Sequence, residues 1–313
     1  MIMRRMILGL SLVALSSTGC AHAFKASRQF NLSSAWEGYE RIVVRSRNGD
    51  VSLMPGDGSE ISIHGAKQAY GATPGQADEH VEQVEILAGA DPDDPATFVI
   101  ELSYPKELRW YSVGADFDVR IPQNCDVDID TSNGDIVVRK LTGRVDLDSS
   151  NGSIEATDIT GVVEARTGNG RIRAERIQGN FLAETSNGSI YASEIRGDCS
   201  FVTSNGRIEV DRIEGNVTAV TSNGTIRLEA VPPTDGSVVM RTSNGNIHVT
   251  LPVDIAARVK LKTSNGQIHT DFADAIIQRI SFSRNRFECD LNGGEIGTVT
   301  ARTSNGSIRI TCR

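Results

Sequence analysis

The sequence predicts an all-β fold, a single-chain parallel β-solenoid with coils of about 18–21 residues. The first observation is a recurring phrase, Thr-Ser-Asn-Gly, whose asparagines follow one another 18 residues apart and then, near the end, 21 apart. The second is an apolar alternation of period two in each repeat, for example Ile154, Ala156, Val163 and Ala165, which indicates two short strands with one buried face each. The asparagines of the regular repeat are Asn133, Asn151, Asn169, Asn187, Asn205, Asn223, Asn244, Asn265 and Asn305.

An antiparallel meander would show the same alternation, with each Asn-Gly forming a hairpin turn. A long meander leaves a wide apolar face uncovered, whereas a solenoid buries that face between its two strands and lets each coil cover the edge of the last. The solenoid is therefore favoured. It predicts that equivalent residues stack in chain order, such as Ile154, Ile172 and Ile190. The Asn-Gly pair, and a second glycine as in Gly161 or Gly179, are expected to supply positive φ at the corners.

The first residues have the features of an export signal. Arg4 and Arg5 precede an apolar run at 6–15, which is too short to span a bilayer, and Ser17-Thr-Gly-Cys20 resembles a bacterial lipobox. In such signals the cysteine is lipidated, so Cys20 is the predicted anchor in the bacterial envelope, with the outer membrane as the expected location. Cleavage at 21–23, Ala-His-Ala, is the alternative and would give a soluble periplasmic or secreted protein.

Four segments follow from this pattern: a signal peptide at 1–19, a lipidated tether at 20–40, irregular N-terminal coils at 41–130 and the regular solenoid with its C-terminal cap at 131–313. Residues 41–53 already have the phase of a coil around Asn48-Gly49, and a short helix is expected at 76–83, after Thr73-Pro-Gly. Further strands are predicted at 60–64, 84–87, 97–103, 115–121 and 125–130.

Two stretches resemble a known family. Residues 116–122 (Asp-Phe-Asp-Val-Arg-Ile-Pro) and 127–137 (Val-Asp-Ile-Asp-Thr-Ser-Asn-Gly-Asp-Ile-Val), followed by repeated Ser-Asn-Gly-x-Ile, are similar to the DUF4097 family of candidate adhesins. The resemblance covers about 40–313. It implies a β-helical fold, an envelope location and an adhesin-type role, and it brings no catalytic residues with it.

Composition narrows the function classes. The chain has 40 acidic against 32 basic residues and a net charge of −8, which argues against a nucleic-acid partner. The sequence contains no Ser/His/Asp set, phosphate loop or Cys-x-x-Cys motif, so no catalytic residue and no cofactor is predicted. The expected protein is non-enzymatic, bound to the membrane through its lipid and to an unknown protein or glycan ligand. The alternative is a carbohydrate-active β-helix enzyme, a polysaccharide lyase or hydrolase, and it rests on fold analogy.

Several outward positions are candidate sites. The Asn positions are interpreted as a structural ladder, and a column of alternating charge is predicted to set the register of the coils. Stacked carboxylates are interpreted first as a solvated acidic face that keeps the protein soluble, and alternatively as a site for Ca²⁺ or a basic partner. A second, weaker candidate is a zinc site formed by His248 and His269 in adjacent coils, with Asp271 two residues on. The charge column is Lys140, Asp158, Arg176, Glu194 and Arg212, and the stacked carboxylates are Asp128, Asp130, Asp146 and Asp148.

Cysteines outside the signal are expected to serve the core. Cys199 occupies an inward position of its coil and is predicted to be a small buried hydrophobe. Cys289 and Cys312 both fall in the last coils, where a disulfide is permitted but not required.

Overall fold

A computed structural model describes residues 24–272, 277–294 and 296–313. The chain divides into two compact units, Met1–Gly152 and Ser153–Arg313. Each unit contains strands of two sheets, called sheet A and sheet B, and most neighbouring strands within a sheet are parallel. Successive coils contribute one strand to each sheet. The predicted all-β parallel solenoid is confirmed. Among the described residues, no helix is both long enough and apolar enough to cross a membrane.

From residue 24 onward, the first unit holds ten strands, one α-helix and one 3₁₀ turn. They are β1 (Phe24–Ala35), β2 (Arg41–Arg45), β3 (Val51–Pro55), β4 (Glu60–Gly71), α1 (Pro74–Glu82), β5 (Glu85–Ala90), β6 (Thr97–Ser103), the 3₁₀ turn Lys106–Trp110, β7 (Val113–Ile121), β8 (Asp126–Thr131), β9 (Ile136–Arg139) and β10 (Val145–Ser149). Sheet A of this unit has the order β1-β4-β7-β3-β9, and sheet B has the order β10-β8-β2-β6-β5.

The first coil of this unit is enclosed by later ones. Strand β2 pairs with β6 on one side and β8 on the other, and β3 pairs with β7 and β9. All four pairings are parallel. The antiparallel strands β4, β1 and β5 then cover the outer edges. The coil predicted at 41–53 is present, and each of its two strands is hydrogen-bonded to a neighbouring strand on both sides.

Part of the segment predicted as a tether is a strand. Residues 24–35 form β1, which pairs antiparallel with β4 along its whole length. Arg28 of β1 donates hydrogen bonds to Asp78 and Glu82 of α1, both at 2.9 Å. The helix begins after Thr73, whose hydroxyl accepts from the amide of Gln76 at 3.2 Å. In β1 only Ala26 is buried, so the strand shows little apolar periodicity in the sequence.

The second unit begins with five coils, β11 to β20, whose strands stack in chain order. In chain order its strands are β11 (Ile154–Thr160), β12 (Val163–Thr167), β13 (Ile172–Gln178), β14 (Phe181–Thr185), β15 (Ile190–Arg196), β16 (Cys199–Thr203), β17 (Ile208–Glu214), β18 (Val217–Thr221), β19 (Ile226–Val231), β20 (Ser237–Arg241), β21 (Ile247–Leu251), β22 (Ala257–Lys262), β23 (Ile268–Asp271), β24 (Ile277–Ser283), β25 (Arg286–Leu291), β26 (Gly297–Arg302) and β27 (Ile308–Cys312).

The core of this unit consists of inward columns in parallel register. Ile154, Ile172 and Ile190 stack as predicted, and so do Ala156, Ala174 and Ala192. All six are at most 4% exposed. Other columns alternate large and small side chains, which fills the narrow interior at high packing density. Phe181 and Phe201, for example, meet edge to face with ring centroids 5.8 Å apart, while Ala183 and Cys199 occupy the neighbouring inward positions.

The last coil does not follow chain order. Strand β26 lies between β20 and β22, and β27 lies between β21 and β23, all in parallel register. The antiparallel hairpin β24–β25 occupies the far edge of β22. Because the hairpin covers the far edge of β22, the strands at 297–312 do not add there. They lie instead between the two preceding coils, one position earlier in the stack than the sequence order predicts. The expected stacking of Asn265 on Asn244 is therefore wrong.

Within the sheet A strands of the regular coils, the chain bends at a charged residue. Arg176, Glu194 and Arg212 each have φ between 52° and 55°, a left-handed conformation that is costly for side chains other than Gly or Asn. Each corner lets a further inward isoleucine, such as Ile177, return to the core. Arg176 donates to Asp158 at 2.5 Å, and Arg212 donates to Glu194 at 2.7 Å. The predicted alternation of sign therefore gives ion pairs between coils at two steps of the column.

Candidate functional site

The Thr of the repeated phrase is a buried bridge between coils. Thr185 is 3% exposed, and its hydroxyl donates to the carbonyl of Gly170 at 3.1 Å. The same oxygen accepts from the amide of Gly188, three residues on, also at 3.1 Å. A hydroxyl at this position therefore closes its own turn and holds the previous one. Thr203, Thr221, Thr242, Thr263 and Thr303 donate to equivalent glycine carbonyls at 2.8–3.1 Å.

The Asn of the phrase forms the predicted ladder on the outside of the corner. Each side-chain amide donates to the side-chain oxygen of the Asn in the neighbouring coil, at 2.7–2.9 Å. In the first unit the order is Asn48, Asn133 and Asn151. In the second unit the order is Asn169, Asn187, Asn205, Asn223, Asn244, Asn305 and Asn265.

The Gly of the phrase has a different role from the expected one. Among the described glycines, those at positive φ include Gly161 and Gly179 but not Gly188 or Gly206. A Cβ on Gly188 or Gly206 would lie 1.7 Å from the carbonyl oxygen of the equivalent glycine one coil earlier. The second glycine of the repeat therefore supplies the positive φ, as predicted. The glycine of Asn-Gly is required for close approach of the coils.

A second ladder, missed in the sequence, runs beside the sheet B strands. The side-chain oxygen of Asn180 accepts from the amide of Asp198 at 3.0 Å, and that of Asp198 accepts from the amide of Asn216 at 3.0 Å. Asn216 in turn accepts from Ser237 at 2.7 Å. The sequence signal that could have predicted this ladder is the Asn or Asp directly after the second glycine of each repeat. In the equivalent position before Asn180 stands Val162, which is 38% exposed and cannot accept a hydrogen bond.

The acidic residues of the first unit stack in the predicted register. Asp128 pairs with Asp146 and Asp130 with Asp148 on adjacent parallel strands. Arg41 donates to Asp128 at 2.5 Å, and Arg144 contacts Asp146 at 2.9 Å, so two of these carboxylates already have cationic partners. Among the described residues, no group of three or more His, Cys, Asp or Glu side chains is placed to hold a metal ion. Calcium binding at this site stays a prediction, and it would require these ion pairs to be displaced.

The two histidines proposed for zinc are not neighbours. His248 pairs with Arg309, and Arg309 pairs with His269 on its other side. The expectation of adjacent imidazoles is wrong because β27 lies between the two strands, and it places a guanidinium where a ligand would be needed. Asp271 is exposed on β23, opposite Thr311. The pKa of His248 is lowered by burial and then by the positive charges of Arg227 and Arg309.

All four cysteines of the described chain are buried free thiols. Cys199 lies inward between Phe181 and Val217, as predicted. Burial raises the pKa of Cys289 and of Cys312 to about 11, which keeps both thiols protonated and poorly nucleophilic. Cys20, the predicted lipid anchor, lies outside the described residues.

One shallow depression lies on the outer face of sheet B in the second unit, with a volume of about 390 Å³. Its lining includes residues of the second ladder, Asn180, Asp198 and Asn216, and the sheet B residues Leu182 and Ser200. Glu164, which is ion-paired with Arg166, also lines it. The depression therefore offers side-chain contacts along a flat sheet.

Parallel coils joined by side-chain ladders, with the exposed Ser-Asn pair repeated from coil to coil, define this chain as a β-solenoid repeat scaffold. The chain belongs to the toastrack family, DUF4097, which matches residues 39–311. None of the curated proteins compared with this chain matches it.

Three solved structures are similar to the chain over most of its length. A candidate adhesin from Parabacteroides distasonis is 10% identical, with a TM-score of 0.44, and the match covers 90% of this chain and 97% of the other. A candidate adhesin from Bacteroides fragilis is 10% identical, with a TM-score of 0.38 and the same coverage. A candidate lipid-binding protein from Parabacteroides distasonis is 11% identical, with a TM-score of 0.43, covering 91% and 96%.

Proposed function

We propose that this protein is an exported, lipid-anchored and non-enzymatic envelope protein that serves as an adhesion or envelope-interaction module. The observation that carries the proposal is the exposed Ser-Asn pair of the repeated phrase, which recurs in register from coil to coil on a scaffold held by buried threonines and the Asn ladder. Such a surface offers the same contact several times at a fixed spacing of about 4.8 Å. Repeated weak contacts at fixed spacing suit a ligand that itself repeats, such as a surface polymer.

Family membership supports the proposal, since the chain belongs to DUF4097 across residues 39–311. The regular coils also leave little length for the long loops that would wall a catalytic cleft. Adjacent strands such as β14 and β15 are separated by only the four residues 186–189. The coils present flat faces on which an extended ligand can lie.

The test of binding against catalysis is a screen of purified protein on immobilised envelope polymers and glycans, with released products measured in the same wells. Retention of the protein without product release is the expected result. Release of shortened chains would favour the carbohydrate-active enzyme and contradict the proposal.

The anchor has its own test. Labelling of growing cells with a palmitate analogue should mark the wild-type chain and not the Cys20→Ala variant. An unlabelled wild type, or equal label on both proteins, would exclude lipidation at Cys20 and leave the soluble exported form.

A further inference from the structure

A row of cations crosses the outer face of sheet B at the end of the second unit. Arg241 pairs with Arg302, Arg302 with Lys262, and Lys262 with Arg286, on four neighbouring strands. All four side chains are exposed. With strands about 4.8 Å apart, the row extends for about 14 Å across the sheet.

This row contrasts with the pairing next to it. Across strands β22 and β25, Arg258 faces Asp290 at 2.9 Å, and Lys260 faces Glu288 at 3.8 Å. The third outward pair breaks the pattern, because Lys262 faces Arg286. Like charges directly opposite each other are unfavourable, and the solenoid does not require them.

The chain itself does little to neutralise the row. Arg286 has an acidic partner, Glu288, at 2.9 Å. Within the part of the chain that the structure describes, Arg241, Lys262 and Arg302 have no acidic partner within ion-pair distance. Three unpaired cations in single file, on a chain of net charge −8, indicate a place for an anion supplied from outside.

A file of polar groups runs alongside. Each cation on β20, β26 and β22 is followed two residues later by an exposed serine, namely Ser243, Ser304 and Ser264. The Asn ladder lies next to these serines, with Asn305 bonded to Asn244 and Asn265 bonded to Asn305 at 2.8 Å. The cations can bind carboxylates, and the serine hydroxyls can form hydrogen bonds with sugar oxygens. The two rows of groups therefore run side by side with the same spacing.

We propose that this row binds a linear acidic polysaccharide, with successive carboxylates on Arg241, Arg302, Lys262 and Arg286. The inference rests on the proposed function, for which it names the class of ligand. A polyuronate carries one carboxylate on every sugar ring, so a single extended chain can bring several carboxylates to a row of cations. Arginine binds carboxylates through two parallel hydrogen bonds, and three of the four cations are arginines.

The surroundings favour a glycan over a membrane surface. Membrane-surface binding combines basic residues with apolar side chains on the same face. The exposed Phe282 pairs with Phe287, whose side chain is buried, so it lies on the face of the sheet opposite Arg286. On its own face the row is bordered by the three serines and Thr300, and at the Arg241 end by Val220 and Val239, which are half-buried.

The test measures binding of the purified protein to polygalacturonate and to the same polymer fully methyl-esterified, which has the same backbone without charge. Wild type should bind the acid form only, and added salt should weaken binding. The double variant Lys262→Gln/Arg302→Gln should bind about tenfold more weakly. A matched control, Arg196→Gln/Arg207→Gln, removes two exposed cations elsewhere and should bind like wild type.

Three outcomes would overturn the inference: no binding of polygalacturonate by wild type, equal loss in both double variants, or tighter binding to phosphatidylglycerol vesicles than to the polymer. Melting temperatures provide an independent check. Neutralising Lys262 and Arg302 relieves repulsion, so that variant should melt no lower than wild type. If wild type adheres to other polymers in the screen but ignores polygalacturonate, the inference fails and the proposed function stands. Adherence to nothing would contradict the proposed function itself.

Discussion

The buried threonine of the repeated phrase allows a prediction about which of two substitutions destabilises the protein more, and by how much. At an ordinary buried threonine, replacement by the isosteric valine removes a polar group and is better tolerated than replacement by serine, which loses a methyl group. At Thr185 the order should be reversed. Its hydroxyl donates to Gly170 and accepts from Gly188, both at 3.1 Å, in a site where the side chain is 3% exposed.

The magnitude follows from what each change removes. Thr185→Val deletes both hydrogen bonds and strands two buried backbone groups, at about 1–3 kcal/mol each. The better transfer of valine offsets part of this, so the expected loss in the free energy of unfolding is about 2–4 kcal/mol. Thr185→Ser keeps both bonds and loses one methyl group, for about 1 kcal/mol.

Urea denaturation of the wild type and of the two Thr185 variants, followed by circular dichroism, measures these differences. A further variant, Asn187→Ala, removes two exposed ladder bonds, of 2.7 and 2.9 Å, and should cost less than Thr185→Val because its groups are open to water. If Thr185→Val is as stable as Thr185→Ser, the hydroxyl bridge does not hold the coils together and the physical account of the phrase is wrong.

Three other predictions concern the second unit. Ala174→Leu should lower stability by about 1–3 kcal/mol because it overfills a narrow inward column, whereas the outward Arg173→Leu should change it by less than about 0.5 kcal/mol; equal effects in thermal melts would mean that the inward phase is wrong. Val162→Asn should raise stability by about 0.5–1.5 kcal/mol by accepting a hydrogen bond from the amide of Asn180, while Val162→Leu should not; a gain in both would point to packing instead. The lowered pKa of His248 means that the folded protein binds fewer protons than the unfolded chain, so the stability contributed by the neutral ring is complete above the unfolded pKa of about 6.5 and is lost as the pH falls through the lower folded pKa. His248→Gln should therefore flatten the dependence of unfolding free energy on pH between about 5 and 7, and an unchanged profile would assign that dependence to other groups.

The coil interior could be predicted from the sequence because burial depends on local alternation. Ile172 and Ala174 point inward wherever the coil lies in the stack, so the period alone places them. Glycine was harder to interpret, since two requirements select it. Gly179 provides positive φ and Gly188 provides space beside a carbonyl, and the sequence shows only that both lack a side chain.

The order of the outermost coils could not be predicted from periodicity. Repeats with the same pattern present the same strand edges, so Asn265 fits beside Asn244 or Asn305 equally well in pattern terms. The hairpin at 277–291, which decides between them, has an exposed and irregular first strand. The same limit applies to the candidate sites. The Asp128–Asp146 register could be predicted from the repeat. The separation of His248 from His269 and the cation row depend on the positions of β27 and β26 in the sheets, which the repeat does not determine.

The enclosed last coil has a consequence for how the chain folds as it is synthesised. A chain emerges from the ribosome with its N-terminus first, so residues 257–271 become available before 297–312 do. Until then β22 has no native parallel neighbour, and β20 presents a free edge of the same repeat pattern. Direct pairing of β20 with β22 would be a misfolded state that must open again before β26 can enter. A protein truncated after residue 296 would retain this gap permanently, and we expect it to aggregate through the two open edges.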